Sequence, residues 1–177
     1  MINKRRLAYW LQVFAPLRWS LRLGVKLMAP QNHVGAVGAI FNNAGQVLLV
    51  EHVFRPDYPW GLPGGWVNRG ENPAYTVQRE IKEELNLTVE VKKLLLCEPQ
   101  GDDKHTSAPP GLGLAYYCRA SDDDISLRFI ERARNSFEIL SARWVYPEQI
   151  EWKLLPLQRK AIILGKQEFD SEQEGAL

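Results

Sequence analysis

Apolar residues recur along this chain at two different periods. Val34 to Phe41 and Gln46 to Val53 are dense in β-branched and small side chains, which predicts two strands. Between them Asn42-Asn43-Ala44-Gly45 supplies a turn, so the two are expected to pair as a hairpin. Thr88 to Leu96, Leu112 to Arg119 and Glu138 to Tyr146 carry the same strand signal, with Tyr116 and Tyr117 on opposite faces. Between Asn72 and Asn86 the period becomes helical: Ala74, Val77, Ile81 and Leu85 form one apolar stripe. Asn72 suits the N-cap, and Pro73 the first helical position, where its missing N–H has no partner to lose. Asn86 suits a left-handed C-terminal cap. Pro147 to Glu151 and Leu155 to Lys166 read as further helices, followed by a polar, frayed tail from Glu168. Strands interleaved with helices predict an α/β chain with a mixed sheet between helices.

Residues 3–28 have a different pattern. Leu7, Trp10, Leu11 and Phe14 share one helical face, as do Leu17, Leu21, Val25 and Met28, and Pro16 is expected to divide the stretch into two short helices. Arg18, Arg22 and Lys26 repeat at every fourth residue on a second face. No apolar run reaches the roughly 18 residues of a membrane span. A basic start resembles a signal peptide, but Arg18 and Arg22 interrupt the apolar part and no cleavage site follows. Three readings stay open: packing on the domain, pairing with a second copy in a homodimer, or a peripheral membrane contact with Tyr9, Trp10 and Trp19 at the interface. The organisation expected is a basic helical extension over residues 1–30, one domain over 31–167 and a tail over 168–177.

At 177 residues the chain is long enough for one self-sufficient core. Its net charge is +1, which gives no general reason to expect a nucleic-acid polymer as partner. The charge is uneven: residues 1–30 hold six basic and no acidic residues, leaving 16 basic against 21 acidic in the remainder. Cys97 and Cys118 lack metal-ligand spacing and lie in apolar strands, so both are expected to be buried, reduced thiols of a cytoplasmic protein.

The chemistry concentrates on the helix. Glu80, Glu83 and Glu84 fan over roughly 100° of arc beside the apolar stripe. Like charges at this spacing cost roughly 0.2–0.5 kcal/mol per pair when exposed, and more when partly buried. Arg79 offsets part of this. A divalent cation would offset the rest, and all-oxygen donors suit Mg²⁺ or Mn²⁺ better than zinc. On the helix alone, a solvated acidic face is the commoner explanation of such a run.

The residues upstream decide between these readings. Leu62-Pro63-Gly64-Gly65 is a tight turn, followed by Glu71 and then Arg79-Glu80-Ile81-x-Glu83-Glu84-x-Asn86-Leu87. This resembles the box of the Nudix hydrolase family, GX5EX7REUXEEXGU with U a bulky apolar residue. Gly65, Glu71, Arg79, Glu80, Glu83 and Glu84 match in register, and Asn86 stands where the last glycine belongs. Asparagine tolerates positive φ better than other residues with a side chain, which keeps the loop geometry accessible. Average residue usage gives such a match by chance on the order of 10⁻⁸ per starting position.

The resemblance implies an α/β/α sandwich. It further implies Mg²⁺ or Mn²⁺ held by Glu80, Glu83, Glu84 and the Gly65 carbonyl, with Arg79 and Glu71 orienting the carboxylates. In relatives an acid near the start of a comparable strand binds metal or assists the attacking water, which points to Glu138 by position. Glu80, Glu83 and Glu138 all stay open as general base, and Glu131 is a weaker substitute for Glu138. Before the box, Arg55 is a candidate to hold a phosphate, with Tyr58 and Trp60 candidates to stack on a base. Residues 99–111, with Asp102, Asp103, Lys104 and His105, are long enough for a substrate lid. The implied activity is metal-dependent hydrolysis of the pyrophosphate linkage in a nucleotide-derived small molecule. The alternative is a Nudix-fold sensor that binds a nucleotide without hydrolysing it.

Overall fold

The computed structural model describes residues 16, 19, 20, 23, 24, 32–100, 110–120 and 138–175. The chain divides into two compact units, Met1–Gln31 and Asn32–Leu177. In the first, Pro16, Trp19, Ser20, Leu23 and Gly24 are helical. The remaining expectations for residues 3–28 lie outside the described residues.

The second unit runs β1 (His33–Phe41), β2 (Val47–His52), β3 (Trp60–Gly61), β4 (Gly64–Trp66), α1 (Pro73–Leu85), β5 (Val89–Gln100), β6 (Gly111–Ala120), β7 (Ile139–Val145), a 3-10 turn at Pro147–Gln149 and α2 (Pro156–Gly175). One mixed sheet joins all seven strands. β1 is its spine: it pairs parallel with β6 along its whole length and antiparallel with β4. β2 carries β3 and β7, both antiparallel, and β5 pairs antiparallel with β6.

The β1–β2 hairpin forms, but only at its tip. Phe41 pairs with Val47, and the Asn42 side chain accepts from the N–H groups of Ala44 and Gln46, each at 3.0 Å. Beyond the turn the strands part, because β4 takes the edge of β1 that β2 would otherwise extend along. That insertion sets Gly64 and Gly65, paired with Val37 and Ala36 as the start of β4 rather than part of the expected turn, into the middle of the sheet.

Alternation of side chains along each strand builds a core on each face. Ile40, Leu48, Val50, Tyr116, Cys118 and Ile139 pack with Val77, Ile81 and Leu85 of α1. Phe41, Val47, Leu49, Ala115 and Tyr117 pack with Ala161, Ile162 and Phe169 of α2. Tyr116 and Tyr117 therefore do face opposite ways, and the unit is an α/β/α sandwich.

Two expectations are corrected here. The polar tail from Glu168 is the last third of α2, which continues to Gly175. Phe169 anchors it by stacking on Phe41 at 5.7 Å, and Glu172 accepts a 2.7 Å hydrogen bond from the Tyr117 hydroxyl. Composition alone concealed a helix end held also by the Lys93–Glu168 ion pair at 2.7 Å and by the Arg119 guanidinium on the Phe169 ring at 4.7 Å. Cys118 is buried as expected, whereas Cys97 is exposed; both are free thiols. Of the expected lid, Pro99 and Gln100 complete β5, and residues 101–109, like Glu131, lie outside the described residues.

Candidate active site

α1 begins and ends as its sequence dictates. Asn72 Oδ1 accepts from the N–H of Ala74 at 3.0 Å, Pro73 occupies the first turn, and Asn86 closes the helix in the left-handed region at φ 53°. Its N–H donates to the carbonyl of Lys82. Leu87 can then turn back into the core beneath the helix. The four box carboxylates leave this frame at different depths.

Arg79 organises three of them. Its Nε and Nη2 form a fork with Glu71, at 2.8 and 3.2 Å. Its Nη1 donates to Glu80 at 2.8 Å and to Glu83 at 3.3 Å, and Nη2 reaches the carbonyl of Trp66 at 3.4 Å. Glu71 also accepts from the N–H of Asn68 at 2.9 Å. The Arg79 bonds first, then this backbone donor, hold the Glu71 carboxyl down to about 2. The same bonds raise Arg79 above the ordinary arginine value.

Glu80 and Glu84 are set apart by burial. Glu80 is raised above the usual carboxylate range by loss of solvent, against the opposing pull of Arg79. Glu84 is pushed up to about 8, first by burial and then by the charges of Glu80 and Glu138, with Arg55 opposing. Its Oε2 is buried without a hydrogen-bond partner. Glu83 extends outward, its side chain 59% exposed.

The backbone turn closes the site from the other side. A side chain at Gly64, which sits at φ 150°, would strike the backbone of Ala36 and Val37. A Cβ at Gly65 would overlap the Glu80 carboxylate. Only glycine lets the chain pass this close to an acidic group.

Glu138 immediately precedes β7, its carbonyl accepting from the N–H of Val53 at 2.9 Å. Its charge acts on both Glu80 and Glu84, so the fold gathers it with the helix carboxylates. Arg55 lies in the exposed loop between β2 and β3, where its charge counters that of Glu84. Tyr58 and Trp60 are packed away. Tyr58 lies under the Lys153 ammonium, 4.4 Å from its centroid. Trp60 is only 6% exposed, stacked on Trp152 at 4.6 Å with the Arg143 guanidinium on its ring at 5.4 Å. A base stacking on Trp60 has to displace one of those partners. Sequence reading passed over His52, whose imidazole is held down to about 3 by burial and by Arg55. Its signal was present: it continues the alternation Leu48, Val50, His52.

The donor set fits a hard divalent cation in its chemistry. It is all oxygen, it contains an orphaned buried carboxylate oxygen, and the lack of a Cβ at Gly65 lets the Glu80 carboxylate lie against the backbone there. Among the described residues no three acidic, histidine or cysteine side chains converge closely enough to enclose an ion. Glu80 and Glu83 are both hydrogen-bonded to Arg79, at 2.8 and 3.3 Å.

Residues 31–164 match the family model of the NUDIX domain. The chain is 27% identical over 122 residues to Nucleoside diphosphate-linked moiety X motif 6 of Xenopus laevis, covering 68% of this chain and 53% of that protein. It is 37% identical over 68 residues to RNA pyrophosphohydrolase of Acidiphilium cryptum, covering 37% of this chain and 40% of that protein. The chain thus spans about half, or less, of the length of these relatives. Its fold is similar to the crystal structure of a MutT NUDIX hydrolase from Burkholderia pseudomallei, with a TM-score of 0.58 at 24% identity over 76% of this chain and 98% of that one. With the family model spanning the whole described sheet and Glu80, Glu83 and Glu84 gathered on one helix beside Gly64 and Gly65, the chain belongs to the Nudix family.

Proposed function

We propose that this protein hydrolyses the pyrophosphate linkage of a nucleoside diphosphate joined to another moiety. A nucleotide sugar, an ADP-ribose-like compound or a nucleoside triphosphate all fit, and the products are a nucleoside monophosphate and a phosphorylated fragment. The observation that carries this reading is the partly buried Glu84, which feels the charges of Glu80 and Glu138 and whose Oε2 has no hydrogen-bond partner.

Glu80, Glu83, Glu84 and the Gly65 carbonyl would hold Mg²⁺ or Mn²⁺. Such a cation, when bound, neutralises diphosphate charge, polarises phosphorus–oxygen bonds and lowers the pKa of a bound water. The chain's own contribution is order. Glu71 fixes Arg79, and Arg79 fixes Glu80 and Glu83, so the carboxylates are placed before substrate arrives. Arg55 offers the exposed cation for a phosphate oxygen. Glu80, Glu83 and Glu138 remain the candidates to take the proton of the attacking water.

The test is a product-release panel over nucleotide sugars, ADP-ribose, dinucleotides and nucleoside triphosphates, with Mg²⁺ and with Mn²⁺. Glu83→Gln and Glu84→Gln are run beside the wild type. Turnover at wild-type rates in both variants defeats the mechanism. Ligand-dependent melting shifts without product would instead favour a nucleotide sensor.

A further inference from the structure

His52 is a half-buried side chain, its Nε2 buried, that this chemistry leaves unused. It closes β2 on the face of Leu48 and Val50, which packs on α1. Alternation therefore carries its imidazole toward the layer that holds Glu84. β7 is shaped around it. Glu51 pairs with Ser141 but His52 pairs with Ile139, so Leu140 is an extra residue in β7. Leu140 turns out to solvent, 60% exposed, while Ile139 stays in the core. A bulge of this kind re-aims the neighbouring side chains, and bulges gather beside active sites.

The loop that follows is braced by its backbone. The N–H of His52 donates to the carbonyl of Pro59 at 2.7 Å, that of Val53 to Glu138 at 2.9 Å, and that of Tyr58 to Arg55 at 3.1 Å. Arg55 stands on this short loop three residues beyond His52, exposed to solvent. Its charge acts on the imidazole of His52 and on the carboxylate of Glu84. Yet Nε2 of His52 is buried without a partner. Leaving such an atom unpaired is costly, so an interaction missing from this state is implied.

We infer that His52 is a positioning residue for Arg55: its Nε2 lone pair accepts from the guanidinium once Glu84 is committed to a cation, keeping Arg55 aimed at the diphosphate. A guanidinium carries donors only, so an acceptor must steer it. Without a cation Glu84 supplies the attraction. A divalent ion held by Glu84 would offset that attraction and leave Arg55 without it. A neutral imidazole supplies a lone pair without competing for the ion's place. Burial and the Arg55 charge hold His52 far below neutrality, so that lone pair is present across neutral pH. The inference rests on the reading of Arg55 as a phosphate-binding residue.

The test is a double-mutant cycle on the full chain with His52→Leu, Arg55→Ala and the pair, plus His52→Gln. Two quantities are read in Mg²⁺: calorimetric affinity for α,β-methylene-ADP, a diphosphate resistant to hydrolysis at its bridge, and the unfolding equilibrium constant. Arg55→Ala weakens analogue binding about tenfold, as loss of a charged hydrogen bond does. His52→Leu weakens it about fivefold, and the double variant stays within about twofold of Arg55→Ala, the mark of residues acting as one unit. His52→Gln, which keeps an acceptor, recovers binding to within about threefold of wild type.

Full multiplication of the two losses overturns the inference, as does a glutamine variant no better than leucine. Either result leaves the hydrolase reading intact. An Arg55→Ala protein that binds like wild type sinks both the inference and the phosphate role of Arg55. If wild type does not bind the analogue, that reading fails separately, and the unfolding cycle decides: coupling of about fivefold or more supports the inference, and additivity overturns it. Should the leucine variant not fold, His52→Met replaces it in the same cycle.

Discussion

Two carboxylates of the same box, Glu71 and Glu84, have opposite surroundings. Glu71 receives two bonds from Arg79 and one from the Asn68 N–H, and its pKa falls to about 2. Glu84 is partly buried, has an unpartnered oxygen, feels three neighbouring carboxylates, and rises to about 8. The first has spent its acceptor capacity inside the protein and can only hold other groups in place. The second retains unused charge in a place where charge is unfavourable, which is how functional groups differ from scaffold. The contrast separates a box carboxylate that positions its neighbours from one that keeps an acceptor free for a ligand.

The sharpest way to break the contrast is Glu84→Gln. We expect loss of turnover by roughly 10²-fold or more, with weakened Mg²⁺ uptake by calorimetry and no loss of thermal stability without metal. A stability loss with unchanged turnover would make Glu84 scaffold. Arg79→Lys comes next. A lysine cannot form the fork to Glu71 while also reaching Glu80, so turnover should fall about 10- to 100-fold. Steady-state kinetics in saturating Mg²⁺ checks this, and a wild-type rate would remove the organising role of Arg79.

A smaller effect lies in pH. The folded Glu84 carboxyl, near 8, holds a proton that the unfolded chain, near 4.5, has released. Between those values the folded state binds more protons, so Glu84 lowers stability as pH rises from 4.5 to 8. Glu71 works in the other window: its contribution is present above 4.5 and is lost as pH falls toward 2. Metal-free melting curves of wild type and Glu84→Gln should therefore diverge steadily between pH 5 and 8, the variant gaining relative to wild type. Parallel curves across that range would contradict the burial of Glu84. The smallest expected effect is Asn86→Ala, which puts a Cβ without a compensating side-chain amide at φ 53° and should cost about 1 kcal/mol by denaturant unfolding. An Ala variant as stable as wild type would mean the helix ends without needing this cap.

The contrast also marks what local sequence carries. The caps of α1, its apolar stripe and the clustering of Glu80, Glu83 and Glu84 depend on residues within one helix, so spacing alone reveals them. The β1–β2 turn was legible for the same reason, while its separation beyond Phe41 was not, since β4 arrives from later in the chain. Tyr58 and Trp60 looked available because an aromatic in a loop reads the same whether exposed or stacked. Lys153 and Trp152, nearly a hundred residues away, settle their packing. The far end of α2 was hidden by polar composition; its anchors, Phe41, Tyr117, Lys93 and Arg119, all come from strands distant in sequence.

By itself the sequence determined which side chains share a helical face, because that follows from 3.6 residues per turn and from capping groups adjacent in the chain. Only the tertiary structure decided which carboxylate loses its water, which ring is covered and which histidine nitrogen is left unpaired. Burial and long-range charge are set by segments distant in sequence, and these energies exist only once the layers close.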